Sequence, residues 1–196
     1  MDWSADLLSL MANESRIAKH VHLPLQSGSD AVLKRMYRKY RTRHYESRLE
    51  LAAKLMPDAA IGADVMTGFP AETDEEFHQT VRFIEDQPFT YLHVFTYSER
   101  PGTPAASSTD QIPVEVRRER TRVLRDLSNR KLRAFQARML GRVLSAVTLN
   151  NHTALSSNFL RIDLATPRDP NRIVDVEIGS LDANLKERQL LPVLPN

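Results

Sequence analysis

The sequence predicts an α/β fold followed by a small all-β region, and three features of the chain support this prediction. The stretch GADVMTGFPAETDEEF, Gly62 to Phe77, has the pattern of a buried strand, a glycine turn and an acidic helix. This stretch lies within an order of strand, helix, strand, helix, strand whose connections are long enough for parallel pairing. After Gly141 the periodicity changes to short apolar runs typical of strands.

Local patterns predict the bounds of each element in the α/β part. HVHLPLQ alternates polar and apolar residues before a turn, and Ser29 is placed to cap the helix that follows. Thr73 and Glu76 have the spacing of a capping box, which marks a helix start. We expect strands at residues 20–26, 61–67 and 91–98, and helices at residues 30–36, 43–55 and 73–85.

The rest of the chain predicts a surface excursion, a long helix and a compact β unit. Residues 99–113 are rich in Pro, Gly, Ser and Thr, which indicates irregular structure. Residues 114–140 are predicted to be helical, with one arginine-rich face and an apolar stripe formed by Val116, Val123, Leu124, Leu127, Ala134 and Phe135. Strands are then expected within residues 142–149, 158–165, 172–179 and 188–194, as a small barrel or half-open sheet.

Composition excludes several kinds of chemistry. The 196 residues are 41% hydrophobic and 27% charged, and no apolar run is long enough to cross a bilayer. The N-terminus lacks the pattern of a secretory signal, so we expect a cytoplasmic protein without a membrane partner. The chain has no cysteine, which excludes disulfides, a thiolate nucleophile and any cysteine-bound metal or iron-sulfur cluster within these residues.

Three strand ends are predicted to form a ligand site on one edge of the sheet, because parallel strands place their carboxyl ends together. Gln26 and Ser27 offer polar groups at the first end, and Gly68 allows close approach of the backbone at the second. Asp64 lies on a strand that is otherwise suited to burial, so it needs a partner. A structural pairing of Asp64 with an arginine or amide, and a simple turn at Gln26, remain alternatives.

Two further features of the sequence suggest binding. His20, His22 and His93 are candidate metal ligands, but no third ligand is evident beside His20 and His22, so no metal site is predicted. Residues 34–48 contain seven Lys or Arg and one Glu, interleaved with tyrosines, and residues 117–138 contain nine Lys or Arg and two acids. Such composition is typical of RNA-binding surfaces, although a solvated helix face is the ordinary alternative.

HLPLQSGSDAVLKRM, GADVMTGFPAET and YLHVFTYSERPGTPA, taken in this order, resemble the radical S-adenosylmethionine (SAM) methylthiotransferases. The resemblance covers essentially the whole chain. It implies the C-terminal half of an open (βα)6 radical SAM barrel over residues 1–138, which includes the long basic helix. It also implies a small all-β TRAM domain, similar to an OB fold, over residues 139–196.

The resemblance also implies a cofactor and the residues that bind it. Members of the family hold SAM with a Gln at the end of the fourth strand, an Arg about twelve residues later and an Asp on the fifth strand. Gln26, Arg38 and Asp64 occupy these positions. The resemblance also implies that Gly68 lets the turn pass close to the cofactor and that Tyr97 borders the adenine of SAM. Ser27 is included beside Gln26 as a further cofactor contact.

The partner implied by the resemblance is tRNA, at its anticodon stem-loop. KYRTRHY with YLHVFTYSERPGTPA is most similar to the branch that acts on threonylcarbamoyladenosine, more than to the isopentenyladenosine or ribosomal-protein branches. The residues we expect to contact tRNA are basic and lie in or after the two basic segments: Arg41, Arg43, Arg130, Lys131, Arg142 and Arg161.

The chain departs from the family at the cysteines that hold two 4Fe-4S clusters, since it has none. We therefore expect the C-terminal portion of a tRNA methylthiotransferase, inactive alone, with no catalytic residue of its own and with a missing N-terminal portion that carries the cluster ligands. A stand-alone RNA-binding module without catalysis is the main alternative. An unrelated barrel enzyme that acts on a phosphorylated small molecule is a further one.

Overall fold

The computed structural model of the protein describes residues 3–189. It contains an α/β part and a β-barrel, with no helix in the described residues long and apolar enough to cross a membrane. The elements, in chain order, are α1 (Ala5–Asn13), β1 (His20–His22), α2 (Asp30–Arg35), α3 (Thr42–Leu55), β2 (Ala60–Thr67), α4 (Asp74–Asp86), β3 (Tyr91–Thr96), α5 (Val114–Ala137), β4 (Val143–Thr148), β5 (Thr153–Ser156), β6 (Arg161–Asp163), β7 (Ile173–Leu181) and β8 (Leu185–Glu187).

The first three strands form a parallel sheet in the order β1-β2-β3, as the sequence predicts. β1 ends at His22 rather than at Gln26, although Gln26 still bridges to Val65 of β2. The helices cover one face of the sheet over a core whose fully buried members include Leu25, Tyr45 and Ile84. Because the strands run parallel, their carboxyl ends share one edge, which is the edge expected to hold a ligand.

α4 begins with the predicted capping box. The Thr73 side chain accepts a hydrogen bond from the Glu76 backbone N–H, and the Glu76 side chain accepts one from the Thr73 N–H. Two of the backbone donors that a helix start leaves free are therefore satisfied, which fixes where the glycine turn becomes a helix.

The C-terminal strands close into a barrel in the order β4-β5-β6-β8-β7. The sequence did not predict β5 at Thr153–Ser156 or β8 at Leu185–Glu187, and residues 190–194 of the strand predicted within residues 188–194 lie outside the described residues. Both strands are short and weakly apolar, so pairing with neighbours defines them rather than local pattern. The division into domains at residues 138 and 139 stays a prediction.

The long helix α5 buries part of the apolar stripe predicted for it, namely Leu124, Leu127 and Phe135, but it also buries two arginines. Val116 and Ala134 of the predicted stripe are exposed, whereas Arg117 and Arg120 are buried. The Arg117 side chain lies over Gly68, which has a φ of +72°, and a Cβ on Gly68 would lie 2.2 Å from Arg117 Cγ. Gly68 is therefore required by helix packing as well as by backbone conformation.

Replacement of Gly68 by Ala should destabilise the protein by about 3 kcal/mol, because strain at positive φ adds to overpacking against Arg117. Gly102→Ala is the matched control, since Gly102 has a φ of +80° with nothing within 4 Å of its would-be Cβ. That control should lose only about 1 kcal/mol. Urea unfolding measures both, and equal losses would show that Arg117 packing contributes nothing.

Candidate functional site

Two adjoining clefts of about 440 and 480 Å³ lie at the carboxyl ends of the parallel strands. They share Gln26, Met66, Phe69, Thr103 and Ala105 in their linings. Volumes in this range are typical of sites for small molecules and cofactors. The strand ends at Gln26 and Thr67 and the loop after β3 thus build one ligand-sized depression.

Three residues that line the first cleft adopt the left-handed backbone conformation that non-glycine residues rarely occupy. Gln26, Tyr37 and Ala71 have φ values of 69°, 55° and 62°. The Gln26 backbone is held by a hydrogen bond from its N–H to the Asp64 carbonyl, 2.8 Å, and one from the Met66 N–H, 2.9 Å. Backbone strain of this kind tends to collect where a protein positions a ligand.

A buried ion pair holds the turn that follows β2. Arg120 Nη1 donates to Glu72 Oε2 at 2.8 Å and to the Glu72 carbonyl at 2.9 Å, and Arg120 Nη2 donates to Asp74 at 2.7 Å. Glu72 Oε2 also accepts the Gly68 N–H at 2.8 Å. Burial raises the pKa of Glu72, while these donors act in the opposite direction. Glu72 therefore has a structural role, and its partner is an arginine 48 residues away.

Histidines from two strands flank Asp64 on the third. His22 Nε2 lies 2.9 Å from Asp64 Oδ1, and His93 Nδ1 lies 3.4 Å from the same oxygen. The Tyr91 hydroxyl joins His22 Nδ1 at 3.1 Å to His20 Nε2 at 2.6 Å. Asp64 therefore has the partner that its position requires, and the partner is imidazole rather than the arginine or amide considered from sequence.

Four of the six predicted SAM contacts lie along the clefts. Gln26 and Arg38 line the first cleft, and Gln26, Asp64 and Tyr97 line the second. Arg38 is exposed and forms no ion pair with any of residues 3–189. The Tyr97 hydroxyl is buried without a hydrogen-bond partner in the described chain. A buried polar atom left unpaired is unusual.

The other two predicted contacts use their groups within the protein. Ser27 is fully buried, and its hydroxyl pairs with Thr80 Oγ1 at 3.0 Å and accepts the Ser29 N–H at 3.1 Å. The Arg117 side chain occupies the space where a Cβ on Gly68 would lie. The structure brings neither residue into the cleft linings, because α4 and α5 occupy the space beside them.

The predicted RNA contacts are spread over both parts of the molecule, and some of them have structural partners. Lys131 donates to the carbonyls of Glu85 and Gln87 at 2.9 and 2.8 Å, and so satisfies two acceptors at the C-terminal end of α4. Burial lowers the pKa of Lys131. Arg142 pairs with Asp58. The more exposed members of the predicted set are Arg43, Arg130, Arg142 and Arg161.

Sequence patterns missed several lining and supporting residues. Met66 and Phe69 line both clefts but read from sequence as ordinary core residues. Tyr91 joins two histidines, and Arg120 anchors the turn, yet neither has a local signal. The pairing of Asp64 with His93 on the neighbouring strand can be inferred only from the register of β2 and β3.

Sequence comparison identifies relatives of this chain. The profile of the Radical SAM superfamily matches residues 2–84. A threonylcarbamoyladenosine tRNA methylthiotransferase of Aquifex aeolicus is 35% identical over 88% of this chain and 42% of its own length. A tRNA-2-methylthio-N(6)-dimethylallyladenosine synthase of Thermobifida fusca is 42% identical over 72% of this chain and 28% of its own. A threonylcarbamoyladenosine tRNA methylthiotransferase of Bacillus subtilis is 40% identical over 72% of this chain and 32% of its own.

The Radical SAM superfamily model matches the first part of the chain, and the mixed α/β fold with a parallel sheet is consistent with part of a radical SAM protein. The relatives confirm the resemblance to the radical SAM methylthiotransferases that the motifs predicted. The chain spans less than half the length of these curated relatives.

The residues present fit one of the two cofactor types that the family implies. Without cysteine, this chain offers no thiolate to a 4Fe-4S cluster. The clefts fit SAM, because they offer a free guanidinium, an amide, a carboxylate and an unpaired phenol.

Replacement of Tyr97 by Phe should change the free energy of unfolding by less than about 0.5 kcal/mol, because the lost hydroxyl makes no hydrogen bond in the described chain. Tyr45→Phe is the matched control, since the buried Tyr45 hydroxyl donates to the Leu23 carbonyl at 2.5 Å. Its loss should cost about 1–2 kcal/mol. Urea unfolding compares the two, and an equal loss at Tyr97 would show that its hydroxyl has a structural partner.

Proposed function

We propose that the chain forms the SAM-binding wall and part of the tRNA-binding surface of a tRNA methylthiotransferase. The observation that carries this proposal is the convergence of Gln26, Arg38, Asp64 and Tyr97 on two adjoining clefts at the carboxyl edge of the sheet. These residues come from distant parts of the sequence, and the family resemblance implies one cofactor for all of them.

The chemistry of SAM matches the groups that line the clefts. Arg38 is placed to bind the carboxylate of its methionine part through two parallel hydrogen bonds, which is the geometry that a guanidinium favours. Asp64 can accept hydrogen bonds from the amino group or the ribose hydroxyls, Gln26 can accept or donate there, and Tyr97 would border the adenine. When bound, SAM would supply the radical that activates carbon 2 of the substrate adenine, on one-electron reduction by a cluster, and also the methyl group. The residues of this chain bind and orient it.

The iron-sulfur clusters must be held by residues outside this chain. No cysteine is present, so a segment that precedes these residues in a longer protein, or a separate chain, would provide the cluster ligands. β1 is an edge strand of the described sheet, and the remaining barrel strands would pair along this edge.

Five arginines form the proposed contact with the tRNA anticodon stem-loop. Arg41 and Arg43 stand at the start of α3, Arg130 lies on α5, and Arg142 and Arg161 lie on the barrel part. A guanidinium attracts backbone phosphate without reading sequence. We assign the barrel from residue 139 onward to the TRAM domain, which would hold the tRNA while the clefts face its modified adenosine.

We propose N6-threonylcarbamoyladenosine as the substrate nucleoside. The motifs KYRTRHY and YLHVFTYSERPGTPA support this branch. Relatives named for threonylcarbamoyladenosine and for dimethylallyladenosine have similar identities to this chain, so overall identity favours neither branch.

Arg38→Gln should raise the dissociation constant for SAM by about tenfold, because a charge-assisted hydrogen bond to the carboxylate is lost. Lys39→Gln is the matched control, since it removes the same charge from the neighbouring exposed residue, which does not line the cleft. Isothermal titration calorimetry on the full chain measures both. Equal weakening by the two variants would contradict a specific contact at Arg38.

Deletion of the gene should remove the 2-methylthio group from N6-threonylcarbamoyladenosine in tRNA and leave the unmethylthiolated nucleoside in its place. Methylthiolated dimethylallyladenosine should remain unchanged in the same cells. Mass spectrometry of tRNA nucleosides measures all of these species. Selective loss of the dimethylallyl derivative would reassign the protein to the other branch.

A further inference from the structure

We propose that His22, Asp64 and His93 form a binding site for one divalent transition-metal cation, such as Zn²⁺ or Co²⁺. One ligand atom from each residue lies within 4.8 Å of the other two. The site is distinct from the cysteine-bound clusters of the family, and its existence does not depend on the proposed function. No metal was expected from sequence because the third ligand, Asp64, was not a candidate for this role.

The spacing of the donor atoms fits a first-row metal ion. Bonds of about 2.0–2.1 Å in a tetrahedron place neighbouring ligand atoms about 3.3 Å apart. In the structure, His22 Nε2 and His93 Nδ1 lie 2.9 and 3.4 Å from Asp64 Oδ1. Small side-chain movements would therefore be enough to admit the ion between them.

The hydrogen bonds around His22 suit a metal ligand. A ligating imidazole usually donates its other N–H to a fixed acceptor, which sets its tautomer. His22 Nδ1 lies 3.1 Å from the Tyr91 hydroxyl, which can in turn donate to His20 Nε2 at 2.6 Å. In this arrangement the lone pair of His22 Nε2 faces the Asp64 carboxylate, and a cation between them is attracted by both groups.

The ligand set also selects the kind of ion. Two imidazoles and one carboxylate suit Zn²⁺, Co²⁺ or Fe²⁺ and offer no thiolate for softer ions.

Three protein ligands leave at least one open position for water or a ligand oxygen. Asp64 lines the second cleft, so that position can face the space proposed for SAM. Among the described residues, His22 and His93 both contact the Asp64 side chain at Oδ1, so Oδ2 can still accept a hydrogen bond from a ribose hydroxyl.

The competing interpretation is a metal-free network in which His22 Nε2–H and His93 Nδ1–H donate to Asp64. This network needs the same side chains and the same distances. The two interpretations differ in whether the full chain binds a cation through these residues, and a binding measurement therefore separates them.

The test is titration of the chelator-treated full chain with Co²⁺, followed by visible d–d absorption, and with Zn²⁺, followed by calorimetry. We expect one ion per chain, and at least about tenfold weaker binding in His93→Ala and in Asp64→Asn. His78→Ala is the matched control because His78 is exposed on α4, away from the three strands. Tyr91→Phe should weaken binding by about tenfold through the lost hydrogen bond to His22.

Two results would overturn the proposal. One is the absence of binding by the folded wild-type chain at Co²⁺ and Zn²⁺ concentrations on the order of 1 mM. The other is binding that is as tight in Asp64→Asn and His93→Ala as in His78→Ala. Circular dichroism establishes that each variant is folded, and Asp64→Asn retains the shape of the side chain, so weaker binding in that variant reports on the lost carboxylate. Neither SAM nor tRNA is present, so the result does not depend on the methylthiotransferase assignment.

Discussion

The guanidinium of Arg120, buried between α5 and the turn that follows β2, is the interaction on which the candidate site depends. It pairs with Glu72, and Glu72 in turn accepts the Gly68 N–H, so a helix far along the chain fixes the turn between strand and helix. Removal of one partner from a buried pair of this kind typically costs about 3–5 kcal/mol, because the other charge is left without compensation. The same helix carries exposed arginines, so the proposed tRNA surface and the cofactor turn share one rigid element.

The parallel sheet and the start of α4 could be predicted from sequence because their signals are local. The capping box at Thr73 and the apolar run of β2 each lie within a few residues. The buried arginines of α5 could not be predicted in this way. Charged side chains are ordinarily exposed. In the turn after β2, Gly68 leaves room for the Arg117 side chain and Glu72 pairs with Arg120, so both arginines can be buried.

The candidate site was predictable where the family pattern names residues and the strand order brings them together. Gln26, Arg38, Asp64 and Tyr97 line the clefts. Ser27 and Lys131 have partners that only the packed structure reveals, since Thr80 and the end of α4 are distant from them in sequence. The grouping of His22, Asp64 and His93 depends on strand register, which a list of single residues does not contain.

Amide hydrogen exchange of the full chain with and without SAM reports where the cofactor binds. Addition of SAM should slow exchange at residues 26–38 and 64–72 and around Tyr97, with no change in the strands of the barrel. SAM-dependent protection confined to the barrel, or no protection at SAM concentrations that saturate binding in calorimetry, would contradict the assignment of these clefts to the cofactor.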